Sequence, residues 1–252
     1  MAASGSPTTG LWHPVGFPSS AARGDPPVML EGKLAGFDDG RQHPVLLLHH
    51  PNPAGGGSMD SKILRAVADA LYPLGVGALR YNSRGVGRSG GEYQLVPESR
   101  GWVEGSHETE DVGAALHFLS AQPWADSRRL ALVGFSFGAR MILSYLRLHP
   151  TDERVKAAVM IGFPVAAWDL THLGYWFGPK LFISAEGDTY SPPDRLLSFV
   201  DRLPPPIQTA IIPGSTHFLP GKEAEAGRLA AAFLAPLLGA PRTSEPASAR
   251  TP

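Results

Sequence analysis

Six short apolar runs, separated by longer segments whose apolar residues recur every three or four positions, constrain this chain more than any other feature. The runs are Val45 to His49, Val76 to Tyr81, Leu130 to Gly134, Ala157 to Ile161, Leu181 to Ser184 and Thr209 to Ile212. Strands covered on both faces of a parallel sheet need this continuous apolarity rather than a polar alternation. The segments between them, Ser58 to Tyr72, His107 to Ala121, Phe137 to Leu148, Pro193 to Arg202 and Lys222 to Leu238, carry the helical period, with Ser58 as N-cap of the first. The alternation predicts an α/β architecture: a mostly parallel twisted sheet with helices on both faces. Upstream, Val28 to Phe37 alternates apolar and polar residues and ends at Asp38-Asp39-Gly40, which predicts an antiparallel edge strand running into a turn. No repeat and no Pro/Gly/Ser linker interrupts the pattern, so one domain over residues 10–239 is expected. It is flanked by aperiodic tails, 1–9 and 240–252, read as disordered.

Composition narrows the functions open to such a fold. With 22 Lys and Arg against 23 Asp and Glu, the chain has no electrostatic drive toward nucleic acid or an anionic membrane surface. It has no cysteine, which removes disulfides, thiolate metal sites and cysteine nucleophiles together. No run approaches the length of a membrane span and no charged-then-apolar leader opens the sequence, so a cytoplasmic protein is expected.

The chemistry centres on Gly134-Phe135-Ser136-Phe137-Gly138, which follows the apolar run Leu130 to Val133 directly. A serine between two glycines, with a strand before it and a helix after it, is the pattern of a nucleophile elbow, a strained turn that presents the hydroxyl. A serine hydroxyl is a weak nucleophile at neutral pH and needs a histidine base oriented by a carboxylate. Two later strand ends supply both. Asp188 lies in the turn Ala185-Glu186-Gly187-Asp188 after Leu181 to Ser184, and His217 lies in Pro213-Gly214-Ser215-Thr216-His217 after Thr209 to Ile212. Asp188 competes with a plain turn-and-cap role and with Glu186 as the acid. In a parallel sheet all three loops fall at the carboxyl edge, where open α/β folds place their sites.

Acyl chemistry also needs donors for a developing oxyanion, usually the N–H after the nucleophile and a second from the loop after an early strand. Phe137 is the first. In His49-His50-Pro51-Asn52-Pro53, the two prolines have no N–H, which leaves Asn52 as the second. His49 and His50 make a poor metal pair, because adjacent strand residues point to opposite faces, and a structural role near this loop is expected. Gly85-Val86-Gly87-Arg88-Ser89-Gly90 matches a dinucleotide fingerprint in letters. The residues after it, Gly91 to Pro97, continue as loop instead of opening a helix, so a tight turn with paired or solvated arginines is expected. Trp168, Tyr175, Trp176 and Phe177 are candidates either for an acyl pocket or for ordinary packing.

Taken together, four motifs carry a resemblance. They are His50-Pro51-Asn52-Pro53 with Gly55 to Asp60, Arg80 to Ser89, the elbow, and Thr216-His217-Phe218 with Gly221-Lys222. In this order they resemble a bacterial family of small α/β-hydrolases related to dienelactone hydrolases and peptidase-like serine hydrolases, over about Leu30 to Leu238. The resemblance implies a Ser136-Asp188-His217 hydrolase with neither metal nor organic cofactor and says little about the substrate; the acyl chemistry of the three residues leads to the expectation of a small-molecule acyl substrate. The chain departs from the family in a longer segment, Gln94 to Ser106, containing Trp102. The shortness of Phe163 to Pro179 predicts little or no cap domain and an open cleft.

Overall fold

The computed structural model describes residues 12–20, 27–93, 107–166 and 176–240. The expected tails, apart from Ala240, the Gln94 to Ser106 segment with Trp102, and both Trp168 and Tyr175 lie outside these residues. Among these residues eight strands form one sheet: β1 (His13–Ser19), β2 (Val28–Ala35), β3 (His43–His49), β4 (Gly77–Tyr81), β5 (Ala125–Phe135), β6 (Val155–Ile161), β7 (Lys180–Ala185) and β8 (Ile207–Ile212). Their order is β1-β2-β4-β3-β5-β6-β7-β8. The strands from β4 across to β8 are mutually parallel, while β2 runs antiparallel to both β4 and β1. Among the described residues five α-helices, α1 (Lys62–Leu71), α2 (His107–Ser120), α3 (Phe137–Leu148), α4 (Pro193–Val200) and α5 (Glu223–Leu237), cover the sheet. None of them is long and apolar enough to cross a membrane.

The continuous apolar runs are resolved by a period of two. Val45 and Leu47 of β3, Leu130 and Leu132 of β5, and Ala158 and Met160 of β6 face a layer shared with α2, α3 and α4. Their neighbours Leu46, Leu48, Ala131, Val133, Ala157 and Val159 face the layer shared with α1 and α5. Each strand is apolar throughout because it feeds two cores. Leu46, Leu47 and Leu48 are fully buried, and each such side chain contributes about 1.5–3 kcal/mol of transfer free energy.

Two expectations need correction. The strand from Val28 is not an edge, because β1 pairs outside it, with Val15 opposite Gly32 and Phe17 opposite Leu30. Pro14, Gly16 and Pro18 conceal β1 in the sequence, yet an edge strand tolerates proline where its missing N–H faces away from the sheet. Phe17 anchors it, stacking on Phe118 at 4.7 Å and meeting Tyr81 edge-on at 6.0 Å. The second correction concerns α1, which starts at Lys62 with Ser61 in the N-cap position rather than at Ser58. The residues before it are held by β4 and its loop instead: the Met59 N–H donates to Asn82 Oδ1 at 2.8 Å, and the Met59 carbonyl accepts from Arg80 Nη1 at 2.9 Å.

One buried ion pair ties β1, the loop after β4 and α2 together. Arg84 Nη2 lies 2.7 Å from Asp111 Oδ1, the Arg84 N–H donates to Asp111 Oδ2 at 2.9 Å, and Ser19 Oγ donates to Asp111 Oδ1 at 2.6 Å. With both charges hydrogen-bonded on several sides, the desolvation of the pair is compensated in place.

Candidate active site

Parallel strands share one carboxyl edge, and the loops leaving β3, β5, β7 and β8 meet there. At the end of β5, Ser136 adopts φ 54° and ψ −115°, backbone geometry that costs a non-glycine residue about 1–3 kcal/mol. The flanking glycines are a steric requirement. A Cβ on Gly134 would sit 2.3 Å from the Gly138 backbone, and one on Gly138 would sit 2.3 Å from the His49 carbonyl oxygen. Ser136 occupies the N-cap position of α3, but its side chain makes no capping bond. Its Oγ lies 2.9 Å from His217 Nε2 instead.

The loop after β8 brings His217 to the serine, and the turn after β7 brings Asp188 to the histidine. His217 Nδ1 lies 2.9 and 2.8 Å from the two Asp188 oxygens. A carboxylate can only accept, so the proton is on Nδ1 and the Nε2 lone pair faces the serine hydroxyl. Asp188 Oδ1 also accepts the N–H groups of Tyr190 at 2.9 Å and Ser191 at 2.8 Å, which fix the carboxylate plane. Rings of Phe135, Tyr190 and Phe218 surround the imidazole at 5.3, 4.7 and 5.2 Å. Glu186, the competing acid, is exposed, and its Oε2 accepts the Gly214 N–H at 2.9 Å. It braces the turn before His217 without touching the ring.

Facing this group across a cleft of about 570 Å³ is the loop after β3. The lining includes Asn52 and Gly57 of that loop, Lys62 at the start of α1, and Tyr190, Phe218 and Glu223. Asn52 thus lies in the same cleft as Ser136, and its N–H finds no acceptor among the described residues. Its side chain is committed elsewhere: Oδ1 accepts the Ala54 N–H at 2.9 Å and the Tyr93 hydroxyl at 3.0 Å. Phe137 opens α3, so its N–H belongs to the first helical turn, where amides point out of the N-terminus.

His49, at the end of β3, and His50 beside it are fully buried. Burial, reinforced by the neighbouring His50, holds the His49 imidazolium well below its ordinary range, and burial pushes His50 down to about 4. His50 Nδ1 lies 2.7 Å from the Pro51 carbonyl oxygen, and its Nε2 accepts from the Ser83 N–H at 3.0 Å and faces Ser83 Oγ at 2.9 Å. Trp176 and Phe177 do not line the cleft. Trp176 is buried beneath the Lys180 ammonium, 5.4 Å from its ring centre, and Phe177 is exposed. Burial pushes Lys180 down to about 8.

The glycine-rich turn after β4 closes on itself, as expected: the Gly85 N–H donates to the Gly90 carbonyl at 3.0 Å, and Arg88 pairs with Glu31 at 2.8 Å. Sequence reasoning did not anticipate Tyr93, the hydrogen bonds of His50 or the crowding at Gly57. The prolines beside Asn52 signalled a stiff loop, but nothing local named the side chains that hold it.

Ser136, His217 and Asp188 thus stand in one hydrogen-bonded line at the carboxyl edge of a parallel sheet. The chain belongs to the alpha/beta hydrolase fold family, whose model matches residues 44–178, more than half of its length. It is 29% identical over 188 residues to an uncharacterized protein of Rickettsia prowazekii, covering 72% of this chain and 74% of the relative. A protein of unknown function from Agrobacterium tumefaciens superposes with a TM-score of 0.74 at 25% identity, over 92% of this chain and all of that one. An alpha-beta serine hydrolase homologue from Coxiella burnetii does so with a TM-score of 0.68 at 27% identity, over 86% of this chain and 95% of that one. By fold and kinship the protein is a hydrolase.

Proposed function

We propose that the protein is a carboxylesterase-like serine hydrolase that cleaves an ester or thioester through an acyl-enzyme on Ser136. The observation that carries this reading is the uninterrupted relay from Ser136 Oγ through both His217 nitrogens to Asp188. Ser136 Oγ attacks the acyl carbonyl while its proton passes to His217 Nε2, and Asp188 stabilises the imidazolium and fixes its tautomer. The N–H groups of Asn52 and Phe137 receive the oxyanion. His217 then protonates the leaving alcohol or thiol, and water, deprotonated by the same nitrogen, releases the acid. No step calls on a metal or organic cofactor. The cleft, lined by aromatic, proline and glycine residues together with polar ones, suits a small or extended acyl substrate better than a deeply enclosed lipid.

A fluorophosphonate probe is expected to label the protein stoichiometrically at Ser136 and to leave Ser136→Ala unlabelled. Equal labelling of the two proteins overturns the mechanism. A panel of p-nitrophenyl esters of rising chain length, run beside thioesters and anilides, ranks the substrate classes. Turnover of anilides alone would move the reading to an amidase, and preferential capture of the acyl group by added alcohol or thiol would move it to a transferase.

A further inference from the structure

We infer that His50 is a positioning residue for the oxyanion-binding side of the proposed site: it holds the Pro51 carbonyl so that the Asn52 N–H faces the cleft. The inference rests on the serine-hydrolase reading above.

The chemistry of its partners fixes the tautomer of His50. The Ser83 backbone nitrogen can only donate, so Nε2, 3.0 Å away, is unprotonated; the Pro51 oxygen can only accept, so Nδ1, 2.7 Å away, carries the hydrogen. A planar trans peptide points its C=O and its N–H in opposite directions. The peptide joining Pro51 to Asn52 therefore cannot turn its N–H away from the cleft without pulling its oxygen off the His50 ring. The ring itself is buried and held at Nε2 by Ser83.

Three further contacts tie this peptide to the nucleophile. Gly57 closes against the Pro51 carbonyl so tightly that a Cβ there would sit 2.2 Å from the oxygen. The His50 ring stacks on Phe137, the residue carrying the other expected donor, at 6.4 Å and 22°. A Cβ on Gly138 of the elbow would sit 2.6 Å from the His50 carbonyl oxygen. His50 thus sits between the two donors, with its side chain against one and its neighbouring peptide carrying the other. Ser83 holds the ring, and Tyr93 holds the Asn52 side chain.

Two replacements separate the contacts of the ring. An asparagine amide occupies the place of Nδ1 and can donate to Pro51, whereas a glutamine amide occupies the place of Nε2 and reaches only Ser83. Misplacing one reacting group by an ångström, or losing one oxyanion donor, costs about a hundredfold or more in rate. Accordingly, His50→Gln is expected to lower kcat on a p-nitrophenyl ester by about 10- to 100-fold with little change in KM. It should weaken inhibition by a trifluoromethyl ketone, whose serine adduct places an oxyanion in the same spot, by a similar factor. His50→Asn should recover most of both losses. A merely structural histidine would instead give equal losses in the two variants, or a change in KM with kcat intact, and either result overturns the inference.

Gly57→Ala provides a second route if both His50 variants fail to fold, because it displaces the same carbonyl from a partly exposed loop. It should show the same selective loss of kcat and of ketone affinity, and wild-type values in it overturn the inference. Ser136→Ala, assayed alongside, distinguishes the two levels. Turnover that survives that change overturns the serine-hydrolase reading together with this inference. Turnover lost there but intact in His50→Gln overturns this inference alone.

Discussion

Two glycine-bracketed turns leave the same edge of the sheet, one after β4 and one after β5, and each contains a serine beside a strand end. They put their polar groups to opposite uses. In the first, Ser89 Oγ donates to the Asn82 carbonyl at 2.7 Å and accepts the Glu31 N–H at 3.0 Å. Glu31 in turn accepts from Asn82 Nδ2, from the Arg88 N–H and from Arg88 Nε. Burial alone would raise the Glu31 carboxyl, but the Arg88 and Asn82 hydrogen bonds outweigh it and hold the group below its ordinary value. In the second turn a helix begins at the next residue. A serine in that position ordinarily gives its oxygen to an amide of the first helical turn, but the backbone twist of Ser136 turns the hydroxyl to His217 instead. Neighbouring glycines therefore do not make a serine reactive. On the proposed reading, what sets Ser136 apart is that its hydroxyl meets a base, His217.

The sharpest way to break this contrast is to remove the two hydroxyls in turn. Ser136→Ala should lower kcat by about 10⁴-fold or more without shifting the melting temperature. Ser89→Ala should leave kcat unchanged and destabilise by about 1–2 kcal/mol in urea titrations, because two buried backbone groups lose their partner. A Ser89→Ala protein with impaired turnover would show that the first turn is not merely architectural.

Next in size is the anchor of the first turn. Asp111→Ala strands the Arg84 guanidinium in the core, and breaking such a pair costs about 3–5 kcal/mol. Chemical denaturation should record a loss of that order, and a loss below 1 kcal/mol would mean that water reaches Arg84. Gly87→Ala follows. Its φ of 59° and the approach of Glu31 Oε1 to 2.2 Å from a new Cβ predict a loss of about 1–3 kcal/mol, with normal kcat in the folded fraction.

The smallest effect belongs to the two histidines beside the elbow, His49 and His50, both fully buried. In the unfolded chain a histidine titrates near 6.5, while native His50 is held down at about 4 and His49 well below its ordinary value. As pH falls from 6.5 toward 4, the unfolded chain binds protons that the native state refuses. Stability therefore drops in that window, by at most about 1.4 kcal/mol per pH unit for each histidine. Urea midpoints taken from pH 7 to 5 should fall less steeply in His49→Asn than in the wild type. Parallel curves would show that His49 does not contribute.

The parallel core was legible in the sequence because two apolar layers leave no polar alternation in a strand, and Val45 to His49 or Ala157 to Ile161 can hardly be read otherwise. β1 was not legible, because Pro14 and Pro18 disguise a strand that only its pairing with β2 and the anchoring of Phe17 make stable. The start of α1 was misplaced for a related reason: Asn82 and Arg80, about 20 residues downstream, take the backbone of Met59 out of the helix. At the site, Ser136, Asp188 and His217 could be picked out because each follows a strand end. Tyr93 could not, since its bond to Asn52 spans 41 residues. Local pattern reveals which residues end up at the carboxyl edge, but not which side chains hold the loops there.

The position of β8 has a consequence for how this site fails. His217 follows the outermost strand, which has a neighbour on one side only among the described residues, and its contact with Ser136 closes a loop of 81 residues. Strands at a sheet margin open at lower free energy than central ones, so the base can detach while β3, β5 and β6 remain paired. During gradual denaturation the protein should thus fall silent before it loses its ellipticity.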